Sequence, residues 1–180
     1  MIDKLISYAG LMSKSINLTQ QPIDLTLVVD ENIAVLRPMA ENRNITLTSN
    51  IVVPVIIPAG DKDRISEALW HLMHNAIKFN LPGGQITIDA CEQQGYLVIS
   101  VKDTGIGIPA NQQARVWDAF LQGADILMRG VEGLGLGLPF VHYVMTAHEG
   151  RATLESVPGK GSTFSLWFPV QARVVPDEAE

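Results

Sequence analysis

Internal disulfides are out of reach for this chain, because its 180 residues include a single cysteine, Cys91, which suits a reducing, cytoplasmic compartment. Cys91 ends an apolar-alternating run and reads as a strand residue rather than a nucleophile. Charge is scarce as well. Charged residues make up 18% of the chain, and the 13 Lys and Arg are scattered and outnumbered by 19 Asp and Glu, which speaks against a nucleic-acid surface. No apolar stretch approaches a membrane span in length, and no signal-peptide pattern opens the chain. What is plentiful is apolar material, 47% of the sequence, which is enough to bury a core and argues against disorder. The length fits one domain, with at most a short appendage.

The chain opens on a helical stripe of Ile2, Leu5, Ile6, Ala9, Met12 and Ile16, close to a heptad seam but only about two heptads long. No N-cap residue precedes it, as expected of a piece of a longer protein, and any membrane anchor of that parent would lie outside this chain. Gln20, Gln21 and Pro22 break the pattern. A second helix is predicted over 26–42, bent or shortened at Pro38, followed by a β-branched strand over 45–51. The strongest helix spans 61–80, with Ile65, Leu69, Leu72, Met73 and Ala76 on its buried face, and Leu81, Pro82, Gly83 and Gly84 stop it. Strands over 85–91 and 96–103 form a hairpin, and a short helix follows near 111–118. Irregular sequence runs from Phe120 to about Gly133. A helix over 136–148 ends at Gly150 as its C-cap glycine, and strands over 151–156 and 162–170 make a last hairpin. Without strict βαβ alternation, the expected fold is a two-layer α/β (α+β) sandwich. Its mixed, mostly antiparallel sheet is covered on one face by helices.

Chemistry concentrates in three places. On the 61–80 helix, His71, Asn75 and Lys78 stand at i, i+4 and i+7 and share one face. An amide oxygen is a hard ligand suited to Mg²⁺, and a lysine one turn on can set a point charge against a polyphosphate. By spacing alone the same face also reads as the solvated side of an amphipathic helix. Asp103 ends a strand ahead of Gly105 and Gly107. A carboxylate there can accept an exocyclic amine while the glycines let a flat base approach the backbone, although Asp-x-Gly-x-Gly is also a common turn. Finally, Gly133, Gly135 and Gly137 lead straight into a helix whose N-terminal N–H groups favour an anion. That stretch is neither a Walker loop nor Gly-x-Gly-x-x-Gly.

In this order and at this spacing, three segments resemble the N, G1 and G2 boxes of the catalytic ATP-binding domain of two-component sensor histidine kinases. They are residues 70–84, 103–109 and 133–140, and the domain belongs to the GHKL ATPase superfamily with its Bergerat-type fold. Trp117, Asp118, Ala119 and Phe120 resemble the F box. The resemblance runs from about Met1 to Pro169 and is most specific between Trp70 and Thr163. It implies ATP and Mg²⁺ as ligands, with Asn75 on the metal, Lys78 on the phosphates and Asp103 selecting adenine. Gly105 and Gly107 would belong to the base pocket, with Thr163 supporting the adenine contact. Gly133, Gly135, Gly137 and Leu138 would form the phosphate-binding helix start. Phe120 would anchor a flexible ATP lid over about 122–132. Residues 1–17 would be the C-terminal remnant of a dimerisation and phospho-acceptor helix, 18–170 the catalytic ATP-binding domain and 171–180 a disordered tail. Implied partners are the histidine-bearing dimerisation domain of the same kinase and the receiver domain of a response regulator. A homodimer is implied for the full-length protein, and no nucleic acid.

Some positions depart from the family pattern. His71 stands where the kinases often carry Asn, and where related ATPases carry a Glu that activates water. After Phe120, Leu121 and Gln122 replace an aromatic residue and an arginine, leaving Arg129 as the candidate positive charge on the lid. The lid also carries Ile126, Leu127, Met128 and Val131, which suits docking on another domain or packing on its own core. His148 and Glu149 look like the phospho-acceptor pair, but Gly150 ends the helix there, so the acceptor histidine is expected outside this chain. The expected function is binding of Mg·ATP and transfer of its γ-phosphoryl group to a histidine on that missing domain. The alternatives are an ATPase of the gyrase, mismatch-repair or heat-shock chaperone type, a serine-directed anti-sigma kinase, and a docking module without nucleotide affinity.

Overall fold

The computed structural model describes residues 18–119 and 135–170. The expected helix over 1–17, the lid and the tail from 171 onward lie outside the described residues. A first strand, β1 (Gln21–Asp24), ends at Asp24, whose carboxylate accepts the N–H groups of Thr26 at 2.9 Å and Leu27 at 3.4 Å and so caps helix α1 (Leu25–Glu41). α1 runs through Pro38 to Glu41, close to the expected range of 26–42. The proline and Ala34 one turn earlier are both exposed, so the missing N–H falls on the solvent side, while buried Leu36 and Ala40 hold the last turn in the core.

Strands β2 (Thr46–Ser49) and β3 (Ile56–Gly60) precede helix α2 (Lys62–Lys78), which is capped by Asp61 through the Arg64 N–H at 3.1 Å. All five apolar residues expected on its inner face are buried, joined by Ala68 and Ile77. Next come β4 (Gln85–Gln93), β5 (Tyr96–Asp103), a single helical turn α3 (Ala110–Gln113), helix α4 (Gly137–Ala147), β6 (Arg151–Val157) and β7 (Gly161–Pro169). The helix expected over 111–118 is only this one turn, and none of its residues is buried to extend it.

Five strands form one sheet in the order β2-β4-β5-β7-β6, antiparallel except for the β2–β4 pair. Alternation sorts its two faces. Ile86, Ile88, Ile99, Val101, Phe164, Leu166 and Phe168 are buried in the core with α1, α2 and α4, whereas Asp89 and Lys102 are exposed on the opposite face. This is the expected two-layer sandwich. The sequence reading missed β1 and β3, which form a separate two-stranded sheet. Pro22 reads locally as a break in the helical pattern, and the register shift between Gln21 and Ile23 is how an edge strand accommodates a residue with no N–H to donate. Cys91 lies exposed within β4, opposite Val98, in the strand setting expected of it.

Candidate nucleotide site

The C-terminal half of α2 carries His71, Asn75 and Lys78, all half-buried. Near its end, β5 finishes at Asp103, which is only 7% exposed. The Asp103 Oδ1 accepts the Gly105 N–H at 2.8 Å and the Ser162 N–H at 3.3 Å, while no donor among the described residues reaches Oδ2. Burial pushes the Asp103 carboxyl above its ordinary range, and the two N–H bonds offset this only in part. A fixed, desolvated carboxylate with one oxygen still unengaged suits a ligand that offers an amine.

The loop after Asp103 is held on both sides. Ile106 donates its N–H to the Phe79 carbonyl at 3.1 Å, at the end of α2, and its own carbonyl accepts the Gly159 N–H at 2.8 Å. The Ile108 N–H donates to Ser156 Oγ at 2.8 Å. Gly107 and Gly161 have φ of 66° and 102°. A Cβ on Gly107 would strike the Val157 carbonyl and one on Gly161 the Asp103 carbonyl, so both contacts require glycine. A buried side chain that sequence reasoning missed, Asn80, completes the link. Its Oδ1 accepts from the Leu81 N–H at 3.0 Å and the Thr104 hydroxyl at 3.4 Å, and its Nδ2 donates to the Gln85 carbonyl at 3.2 Å. The asparagine-bearing helix and the loop after Asp103 are thereby one hydrogen-bonded unit.

Helix α4 supplies the third part. Gly135, with φ of 66°, precedes its first residue, Gly137, and among the described residues no side chain caps its first N–H groups. Leu138 packs half-buried against the core. The His71 ring lies against this start: a Cβ on Gly137 would come within 3.0 Å of Nδ1, and the ring centroid is 5.5 Å from that of Phe140. His71 is thus brought to the open helix N-terminus, where partial positive charge favours an anion. The Lys78 Nζ lies 5.1 Å from the Phe79 ring centroid.

The donor set fits Mg²⁺ in one respect. No group of three His, Cys, Asp or Glu that could hold a metal occurs among the described residues, so these residues form no self-contained cage. The Asn75 amide makes no hydrogen bond to another described residue. A single free oxygen is the kind of ligand Mg²⁺ accepts when phosphates and waters fill the rest of its shell.

Thr163 needs correction. It pairs with Lys102, and strand alternation turns it to the face opposite Asp103, whereas the neighbouring Ser162 is buried and donates its N–H to Asp103. The inward set Phe164, Leu166 and Phe168 already implied Ser162 in the sequence. Phe120, Arg129 and Gly133 lie outside the described residues. Of the F-box segment, Trp117 packs with its centroid 5.9 Å from Phe164. His148 sits at the C-cap of α4, with Nδ1 2.7 Å from the Val144 carbonyl and Nε2 accepting the Asp61 N–H at 2.9 Å. Both ring nitrogens are occupied there, in keeping with the structural role expected for it.

A helix-backed sheet that brings a buried strand-end carboxylate, an asparagine-bearing helix and a glycine-led helix start together defines an ATP-binding domain of the GHKL class. The family described as histidine kinase-, DNA gyrase B-, and HSP90-like ATPase matches residues 60–172, and the chain belongs to it. The chain is 28% identical over 180 residues to the circadian input-output histidine kinase CikA of Synechococcus elongatus, covering 99% of this chain and 24% of that protein. It is 33% identical over 171 residues to the sensor histidine kinase ZraS of Escherichia coli K12, covering 94% of this chain and 35% of that one. It therefore spans about a quarter to a third of these relatives. Among solved structures, full-length ShkA in complex with AMPPNP superposes with a TM-score of 0.82 at 25% identity, over 93% of this chain and 35% of that one. The mycobacterial sensor histidine kinase MprB shares the fold, with a TM-score of 0.71 at 23% identity over 84% of this chain and 97% of that one.

Proposed function

We propose that this chain is the catalytic ATP-binding domain of a sensor histidine kinase, which binds Mg·ATP and presents its γ-phosphoryl group to a histidine on a separate dimerisation domain. The observation that carries the reading is Asp103, a buried carboxylate with one oxygen fixed by Gly105 and Ser162 and the other left for a ligand. In this reading Asp103 accepts the exocyclic amine of adenine, and the loop through Gly105 and Gly107 lies along the base. Lys78 and the N–H groups at the start of α4 face the phosphates, and His71 lies against that helix start. Asn75 would hold Mg²⁺, which when bound neutralises phosphate charge and helps align the transferred group. The protein's contribution to phosphoryl transfer is positioning and electrostatics rather than covalent chemistry. Arg129 supplies a further positive charge from the lid, with Phe120 at the lid's root and Gly133 at the glycine-led start.

A receiver domain would take the phosphoryl group onward, and the parent would act as a homodimer. No helix among the described residues is long and apolar enough to cross a membrane. The test is calorimetric titration of ATP with and without Mg²⁺, followed by addition of a dimeric histidine-bearing domain and labelled ATP. Mg²⁺-dependent binding on the order of −6 to −8 kcal/mol, with label on the added histidine, is the expected outcome. Absence of binding at millimolar ATP rejects the reading in favour of a docking module. Vigorous hydrolysis by the chain alone favours a gyrase-type ATPase.

A further inference from the structure

We propose that Arg43 is a positioning residue of the nucleotide site, acting through the end of α2. This role rests on the ATP-binding reading above. Arg43 lies in the turn between α1 and β2, outside every segment that the sequence motifs single out. Its guanidinium crosses to the end of α2, where Nη1 donates to the Ile77 carbonyl at 2.6 Å and the Lys78 carbonyl at 2.7 Å. Nη2 donates to the Asn80 carbonyl at 3.4 Å. These carbonyls stand where the intrahelical ladder runs out. The Phe79 carbonyl between them takes the Ile106 N–H of the loop that follows Asp103. Across these four consecutive carbonyls Arg43 bonds three, with that of Ile77 also accepting the Asn80 N–H at 3.4 Å, and the base-binding loop bonds the fourth.

The turn that presents Arg43 is itself anchored. The Arg43 and Ile45 N–H groups both donate to the Ala40 carbonyl, at 3.0 and 2.9 Å, and the Asn44 carbonyl accepts the Gly83 N–H at 2.9 Å. No ion pair to Arg43 occurs among the described residues, so its charge is directed at the helix end. Two consequences follow. The backbone from which the Lys78 ammonium projects is fixed in place. The guanidinium also offsets the negative end of the α2 dipole, which would otherwise stand beside an incoming polyphosphate.

Binding of Mg·ATP to the wild type, Arg43→Gln, Arg43→Lys, Lys78→Ala and the Arg43→Gln/Lys78→Ala double variant tests this. Each is titrated well below its own melting temperature, so that loss of fold does not enter the Kd. Arg43→Gln is expected to raise the ATP Kd about tenfold, and Arg43→Lys, with an ammonium in place of the fork, to recover part of that loss. In the Lys78→Ala background the same glutamine is expected to cost less than about threefold, the non-additivity of residues that act as a unit. A lowered melting temperature with unchanged Kd overturns the role, as does full additivity with Lys78→Ala. Should Arg43→Gln not fold, Arg43→Lys decides: wild-type affinity rejects the proposal, and a raised Kd supports it. A wild-type chain that binds no ATP rejects the nucleotide reading itself, a result distinct from a wild type that binds and an Arg43 variant that matches it.

Discussion

Replacing Asp103 by Asn separates a nucleotide-selecting carboxylate from a structural turn, because the two roles shift stability and affinity differently. The amide can keep its oxygen toward the Gly105 and Ser162 N–H groups, so the turn's hydrogen bonds survive. The position of Oδ2 then holds an NH₂ group, which presents donors where adenine also presents a donor. A lost charge-assisted hydrogen bond costs about 1–3 kcal/mol, so the ATP Kd should rise between about 5-fold and 150-fold. Stability of the ligand-free chain should not fall with it. Burial raises the Asp103 carboxyl above its ordinary range, so the folded state binds this proton more tightly than the unfolded chain does. Stability is therefore lost as pH rises from the ordinary aspartate range through the raised folded value, and a neutral Asn is spared that loss. Calorimetric titration gives the Kd, and thermal melts of the ligand-free chain at two pH values give the stability. An Asp103→Asn chain that binds ATP like the wild type removes Asp103 from the site. One that loses stability at neutral pH in proportion to affinity reduces Asp103 to a turn former.

Three further outcomes are expected. Asn75→Ala should leave ATP binding insensitive to Mg²⁺, and a retained response to the metal in the same titration would remove Asn75 as its ligand. Gly161→Ala forces a Cβ toward the Asp103 carbonyl at φ of 102°, and should cost more than about 1 kcal/mol and lower Tm by at least about 2 °C. Gly159→Ala, with φ of 75° but nothing within 4 Å, should cost less, and equal melts would refute the steric argument. At Asp61, burial raises the carboxyl, but the Thr19 and Arg64 N–H groups and the Arg64 charge together hold it below its ordinary value. Its stabilisation is therefore present above the ordinary aspartate range and lost as pH falls through the folded value. Asp61→Asn should flatten the acid limb of a stability–pH profile, and an unchanged limb would assign that dependence to other groups.

Local periodicity and short motifs determined most of the secondary structure and the class of site. The stripe Ile65, Leu69, Leu72, Met73 and Ala76 is legible as one helix face because burial on a helix follows its 3.6-residue repeat. Asn75, Lys78, Asp103 and Gly135 stand out in the sequence because the proposed nucleotide site would need an oxygen ligand, a cation, a carboxylate and open N–H groups at set places. Gly107 is legible because only glycine meets no steric cost at its φ. Pairing across the chain decided the rest. β1 and β3 are strands through each other, a partnership that no local pattern around Pro22 could signal. Serine at 162, not threonine at 163, meets Asp103 because the register of β7 on β5 assigns the faces. His71 reached the start of α4, Arg43 the end of α2, and Asn80 the Thr104 hydroxyl in the loop after Asp103, through contacts between elements remote in sequence. The sequence by itself determined which chemical groups the chain carries and which segments carry them. Only the tertiary structure decided which of those groups face one another, because a hydrogen bond is set by distance in space and not by separation along the chain.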